Sequence, residues 1–82
     1  MVTIYRAHGM RFVIYTHDHE PPHVHVLGNG ELKVALSPDG ALPQLLYAIG
    51  MKAADRRRAM DVVLERQAAF MTHWRAIHGD EE

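Results

Sequence analysis

The chain has 82 residues, 9 Lys+Arg against 10 Asp+Glu, a formal net charge of −1, seven histidines and no cysteine. That length holds one domain and one modest core, burying roughly 60–65% of the extended chain's surface. The missing cysteine excludes a disulfide scaffold and a thiolate zinc site, and the balanced charge argues against a surface built to coat nucleic acid.

The first residues lack a charged stretch followed by a long apolar one, so no signal peptide is expected. No apolar run approaches the ~18 residues of a membrane span. A cytoplasmic protein without membrane contact is the expectation. Composition shifts near Pro38, from β-branched and aromatic residues punctuated by Gly and Pro to Ala, Leu, Met, Arg and Glu. Strands first and helices second make an α+β plan within a single domain, residues 1–82.

Residues 2–6 and 10–15 read as two strands around Ala7-His8-Gly9. A three-residue loop opposes Val2 to Ile14, Ile4 to Phe12 and Arg6 to Met10, leaving Thr3, Tyr5, Arg11 and Val13 on the other face. Residues 16–22 follow as a stiff connector, because Pro21 and Pro22 lack donors and hold extended geometry. Residues 23–27 and 31–36 form the clearest hairpin, closed by Gly28-Asn29-Gly30, residues that tolerate positive φ. Its register opposes Val24 to Val34, His25 to Lys33, Val26 to Leu32 and Leu27 to Glu31. The valines then face the core, and His23 and His25 face away from it.

Pro43 suits the first turn of a short helix over residues 43–49, stopped by Gly50. A long helix covers residues 53–78 with Gly79 beyond it. Ala53, Ala59, Met60, Val63, Leu64, Phe70, Met71, Trp74 and Ile77 share one arc of that helix, while Arg56 and Gln67 interrupt it. The stripe reads as core rather than as a partner groove. Arg56-Arg57-Arg58, with acidic neighbours, reads as a solvated face rather than a phosphate contact. Lys52 is a poor N-cap, and residues 79–82 read as a frayed tail.

The chemistry concentrates in His17-Asp18-His19-Glu20-Pro21-Pro22-His23-Val24-His25, which holds four of the seven histidines. Residues i and i+2 of a strand share a face about 7 Å apart, so His23 and His25 can meet one ion. Neutral imidazole is a common ligand for zinc or nickel. His17 and His19 share that spacing, and Glu20 and Glu31 could complete a site. The bland alternative is a solvated histidine cluster that makes the sheet's outer face polar. Cupin, histidine-triad and two-histidine phosphoesterase patterns each lack a required element here. A metal-free alternative makes His23 or His25 a general acid or base for RNA cleavage, with Lys33 steadying a phosphate.

The run His19-Glu20-Pro21-Pro22-His23-Val24-His25-Val26, with Glu31, Lys33 and Leu36 after it, resembles the bacterial domain-of-unknown-function 4160 family. Thr3-Ile4-Tyr5-Arg6, Gly9-Met10-Arg11-Phe12 and Trp74 fit the same resemblance, which spans nearly the whole chain. Residues 37–44 and the uncapped start of the long helix depart from it. The resemblance implies a small bacterial protein, often encoded beside another small protein in pairs that look like toxin–antitoxin modules. It implies no reaction and no catalytic residues.

The expected architecture is an antiparallel sheet of about four strands, in two hairpins, covered on its apolar face by the long helix. The opposite face would display Tyr5, Tyr15, His23, His25 and Lys33 to a partner protein or to a second copy. Three functions stay open. The first is a protein-binding component of a two-protein toxin–antitoxin-type unit. The second is a metal- or His-dependent RNA or phosphodiester hydrolase. The third is a small phage-type inhibitor that docks on a larger machine.

Overall fold

The computed structural model describes residues 1–79. Five strands and one helix follow in chain order: β1 Val2–Ala7, β2 Met10–Ile14, β3 His23–Gly28, β4 Gly30–Ala35, β5 Gln44–Ile49 and α1 Ala53–His78. The strands form a single antiparallel meander in the order β1-β2-β3-β4-β5. The fold is α+β, with one strand more than expected. From residue 80 on, the expected frayed tail lies outside the described residues.

Alternation explains the layering. Phe12, Ile14, Val24, Val26, Leu32 and Val34 leave one face of β2, β3 and β4 and are inaccessible to solvent. They meet Ala59, Val62, Val63, Phe70, Met71 and Trp74 of α1 in one core. The β3–β4 register matches the expected one at every pair. Gly30, with φ of 119°, closes the turn where the chain returns, since a Cβ there would lie 2.6 Å from the Gly50 carbonyl carbon and the Met51 nitrogen.

The first hairpin differs from expectation. His8 and Gly9 both take positive φ (55° and 74°) in a two-residue turn, so Ala7 rather than Arg6 opposes Met10. A bulge at Ile4 absorbs the offset and returns Val2 to Ile14. The bulge also changes which side chains face the core. Tyr5, expected on the outer face, opposes Phe12 and packs against Phe12 and Phe70 at ring separations of 6.0 and 6.1 Å. The Arg66 guanidinium lies over its ring, 4.2 Å from the centroid.

The larger correction is at residues 43–49, where Gln44–Ile49 form strand β5 and not a short helix. Six or seven residues sit below the length at which helix nucleation is repaid. The outer edge of β4 offers a row of backbone donors and acceptors that β5 satisfies from Glu31↔Ile49 to Ala35↔Gln44.

The long helix keeps its expected limits. Lys52 makes no side-chain cap, and the Gly79 N–H donates to the Arg75 carbonyl at 2.7 Å. Val62 joins the buried stripe, whereas Leu64 is exposed. Arg66 departs from helical dihedrals (φ −112°, ψ 15°). Neither proline nor glycine lies at that point. Next to it Gln67 is buried, its Oε1 accepting from the Ser37 N–H and its Nε2 donating to the Ala41 carbonyl, both at 2.8 Å. No helix is long and apolar enough to cross a membrane among the described residues.

Candidate functional site

Strand parity sends His23 and His25 to the face opposite α1, as expected. They are not displayed there, however, being 4% and 8% exposed. Residues 15–22 lie over them. A turn in which the Asp18 N–H donates to the Tyr15 carbonyl at 3.1 Å aims the Asp18 side chain inward, while His17, His19 and Glu20 remain exposed. The Leu36 N–H donates to the Pro22 carbonyl at 2.9 Å and ties the far end of the connector to the sheet. The Glu20–Pro21 peptide is cis.

His23 Nε2 lies 3.0 Å and His25 Nε2 3.5 Å from Asp18 Oδ2. These three atoms lie within 4.8 Å of one another, and among the described residues no other such trio of ligand atoms occurs. Each imidazole is held from behind. His23 Nδ1 lies 2.8 Å from the Pro21 carbonyl, and His25 Nδ1 lies 3.2 Å from Glu31 Oε2. Glu31 Oε2 also accepts from the Tyr47 hydroxyl at 2.8 Å. That bond and the adjacent negative charge act together with partial burial, the largest cause, to push the Tyr47 phenol from 10.0 up to about 12.

Aromatic rings wall the site. Tyr15 meets His25 edge-on at 4.7 Å, the two imidazoles lie 5.2 Å apart, and Trp74 of α1 reaches His23 at 5.2 Å. A hollow of about 260 Å³ opens beside the imidazoles, lined by His17, Asp18, His19, His23, Lys33 and Leu46 among others. A second hollow of about 240 Å³ is lined by Asp18, Trp74 and His78, with His78 stacked 3.9 Å from Trp74.

Of the metal-ligand candidates, the structure therefore brings His23 and His25 together and leaves His17, His19 and Glu20 outside. Glu31 stands behind His25 as its hydrogen-bond partner. Asp18, not among the expected ligands, supplies the carboxylate. Of the catalytic candidates, Lys33 joins His23 along the hollow. Of the interaction candidates, Tyr15, His23 and His25 pack on one another and Tyr5 belongs to the core side.

The exposed apolar surface lies elsewhere. All six residues of β5 are exposed, and Leu45, Leu46, Tyr47 and Ile49, with Leu42 just before them, form its apolar part. Pairing with β4 puts Leu45 and Ala48 on the α1 side and Tyr47 and Ile49 on the histidine side. The strand is thus apolar on both faces, and Gln44–Ile49 contains no charged residue and no proline.

A family model described as Domain of unknown function (DUF4160) matches residues 9–75, a span that includes Asp18, His23, His25 and the whole of β5. No curated protein and no solved structure matches the chain.

Proposed function

This chain belongs to the domain-of-unknown-function 4160 family, and we propose that it works in the cytoplasm as the protein-binding component of a two-protein unit of the toxin–antitoxin type. The observation that carries the reading is β5. Sheet edges usually carry a charge, a proline or a cover, because their unpaired backbone groups otherwise recruit another strand. β1, the opposite edge, carries Arg6 and a bulge. β5 has a bulge at Leu46 but no charge, and its apolar side chains project to both faces.

An added strand covers both faces of an edge at once, whereas a docked helix covers one. The occupant is therefore an extended segment, with apolar residues in alternation, from the small protein encoded beside this one. Co-expression of the two proteins should yield a co-purifying complex. The double substitution Leu46→Lys/Ile49→Lys should abolish it while leaving circular dichroism unchanged. A complex that survives the double substitution, or a self-dimer that the substitution dissociates, overturns the reading.

One observation favours a second reading, a metal- or His-dependent RNA or phosphodiester hydrolase. Lys33 and His23 line one hollow, so a cation able to neutralise a phosphate stands beside an imidazole able to move a proton. On this reading the double substitution His23→Ala/His25→Ala removes ribonuclease activity of the purified protein. Retention of that activity would sink it.

A further inference from the structure

We propose that Asp18, His23 and His25 bind one divalent first-row transition ion, zinc or nickel, through a carboxylate oxygen and two imidazole Nε2 atoms. The first argument is tautomeric. A carbonyl and a carboxylate only accept hydrogen bonds, so Pro21 and Glu31 place the imidazole protons on the Nδ1 atoms. A ring with its one proton on Nδ1 presents its Nε2 lone pair to Asp18 Oδ2. Three acceptors then face one another in a mostly buried space, and a metal cation held among them satisfies all three at once.

The second argument is geometric. Bonds of ~2.0–2.1 Å at tetrahedral angles set ligand atoms about 3.3 Å apart, and the two Asp18 separations are 3.0 and 3.5 Å. The shorter one is no hydrogen bond. His23 Nε2 and Asp18 Oδ2 are buried and lack a hydrogen-bond partner among the described residues, although they lie 3.0 Å apart.

The third argument is the support behind the ligands. Metal-bound imidazoles characteristically donate their other N–H to a carbonyl or carboxylate. Here Pro21 and Glu31 fill those roles, and Tyr47 holds Glu31 in turn. Two nitrogens, one oxygen and no sulfur suit zinc or nickel better than magnesium or calcium. Three protein ligands leave a further position for water or substrate, next to the hollow that contains Lys33. The proposal does not rest on partner binding through β5, and it deepens the metal-dependent form of the hydrolase reading: His23 then holds an ion, and its imidazole is not the group that moves the proton. A site that binds zinc in a protein without ribonuclease activity would separate the two.

The test is calorimetric titration of untagged, chelator-stripped protein with zinc, paired with the visible spectrum of the cobalt(II) form. The expected result is one ion per chain. Asp18→Asn and His25→Gln should each weaken binding at least ~10-fold, and Glu31→Gln by about 10–100-fold through the His25 it orients. The double substitution His17→Gln/His19→Gln should leave affinity unchanged. Asp18 sits on the connector rather than in a strand, so Asp18→Asn keeps the test decisive if the histidine variants fail to fold. It should also remove the cobalt ligand-field band. No uptake by folded wild type, or an equal loss on replacing His17 and His19, overturns the proposal.

Discussion

Tyr47 and Glu31 join the sheet edge to the histidine face. A single oxygen, Glu31 Oε2, accepts from both the Tyr47 hydroxyl and His25 Nδ1. Partial burial first, then the hydrogen bond to Glu31 and the negative charge it carries, raise the Tyr47 pKa to about 12. The folded value lies above the ordinary one of 10.0, so the unfolded chain releases this proton first. Stability from Tyr47 is therefore complete below pH 10 and is lost as the pH climbs towards 12. Urea denaturation of wild type and Tyr47→Phe should show wild type losing stability relative to the variant across that window. Parallel pH profiles would contradict the assignment. Asp18 shows how a sound local rule can pass over a residue. Strand alternation picks out His23 and His25, but Asp18 lies in a turn, where neighbouring side chains diverge. The reversal at residues 15–18 sends Asp18 inward and His17 and His19 outward.

Elements were legible in proportion to how much of their signal is local. The β3–β4 hairpin combines strict alternation with Gly28-Asn29-Gly30, and every expected pair forms. The limits of α1 follow from its periodicity and from Gly79. The β1–β2 hairpin was harder, since a two-residue turn with a bulge and a three-residue turn without one both pair Val2 with Ile14. Segment 43–49 was misread because Pro43, two leucines and an alanine suit a helical start, while the need of β4 for a partner is invisible along the chain. Gln67 interrupts an apolar stripe, and the structure explains it as the brace between α1 and residues 37–41. Gln67→Leu leaves the Ser37 N–H and the Ala41 carbonyl without that partner and should cost about 1–2 kcal/mol. Urea denaturation should register this as a lower midpoint at unchanged slope. A variant as stable as wild type would show the brace to be dispensable.

As a whole, the molecule is one sheet with two unlike faces and two unlike edges. Helix α1 covers the valine and phenylalanine face, and residues 15–22 cover part of the histidine face. β1 closes one edge with a bulge and Arg6, while β5 leaves the other apolar and exposed. Hydrophobic alternation, turn chemistry and helical period act over a few residues. They sufficed to read the α+β class, the core side of β3 and β4, and the length of α1 straight from the chain. The fifth strand, the burial of His23 and His25, the carboxylate that meets them and the open edge depend on which atoms meet after the chain has folded. Backbone groups on a sheet edge and lone pairs in a buried space must find partners wherever the fold places them. Those partners come from residues whose own local sequence carries no mark of the meeting.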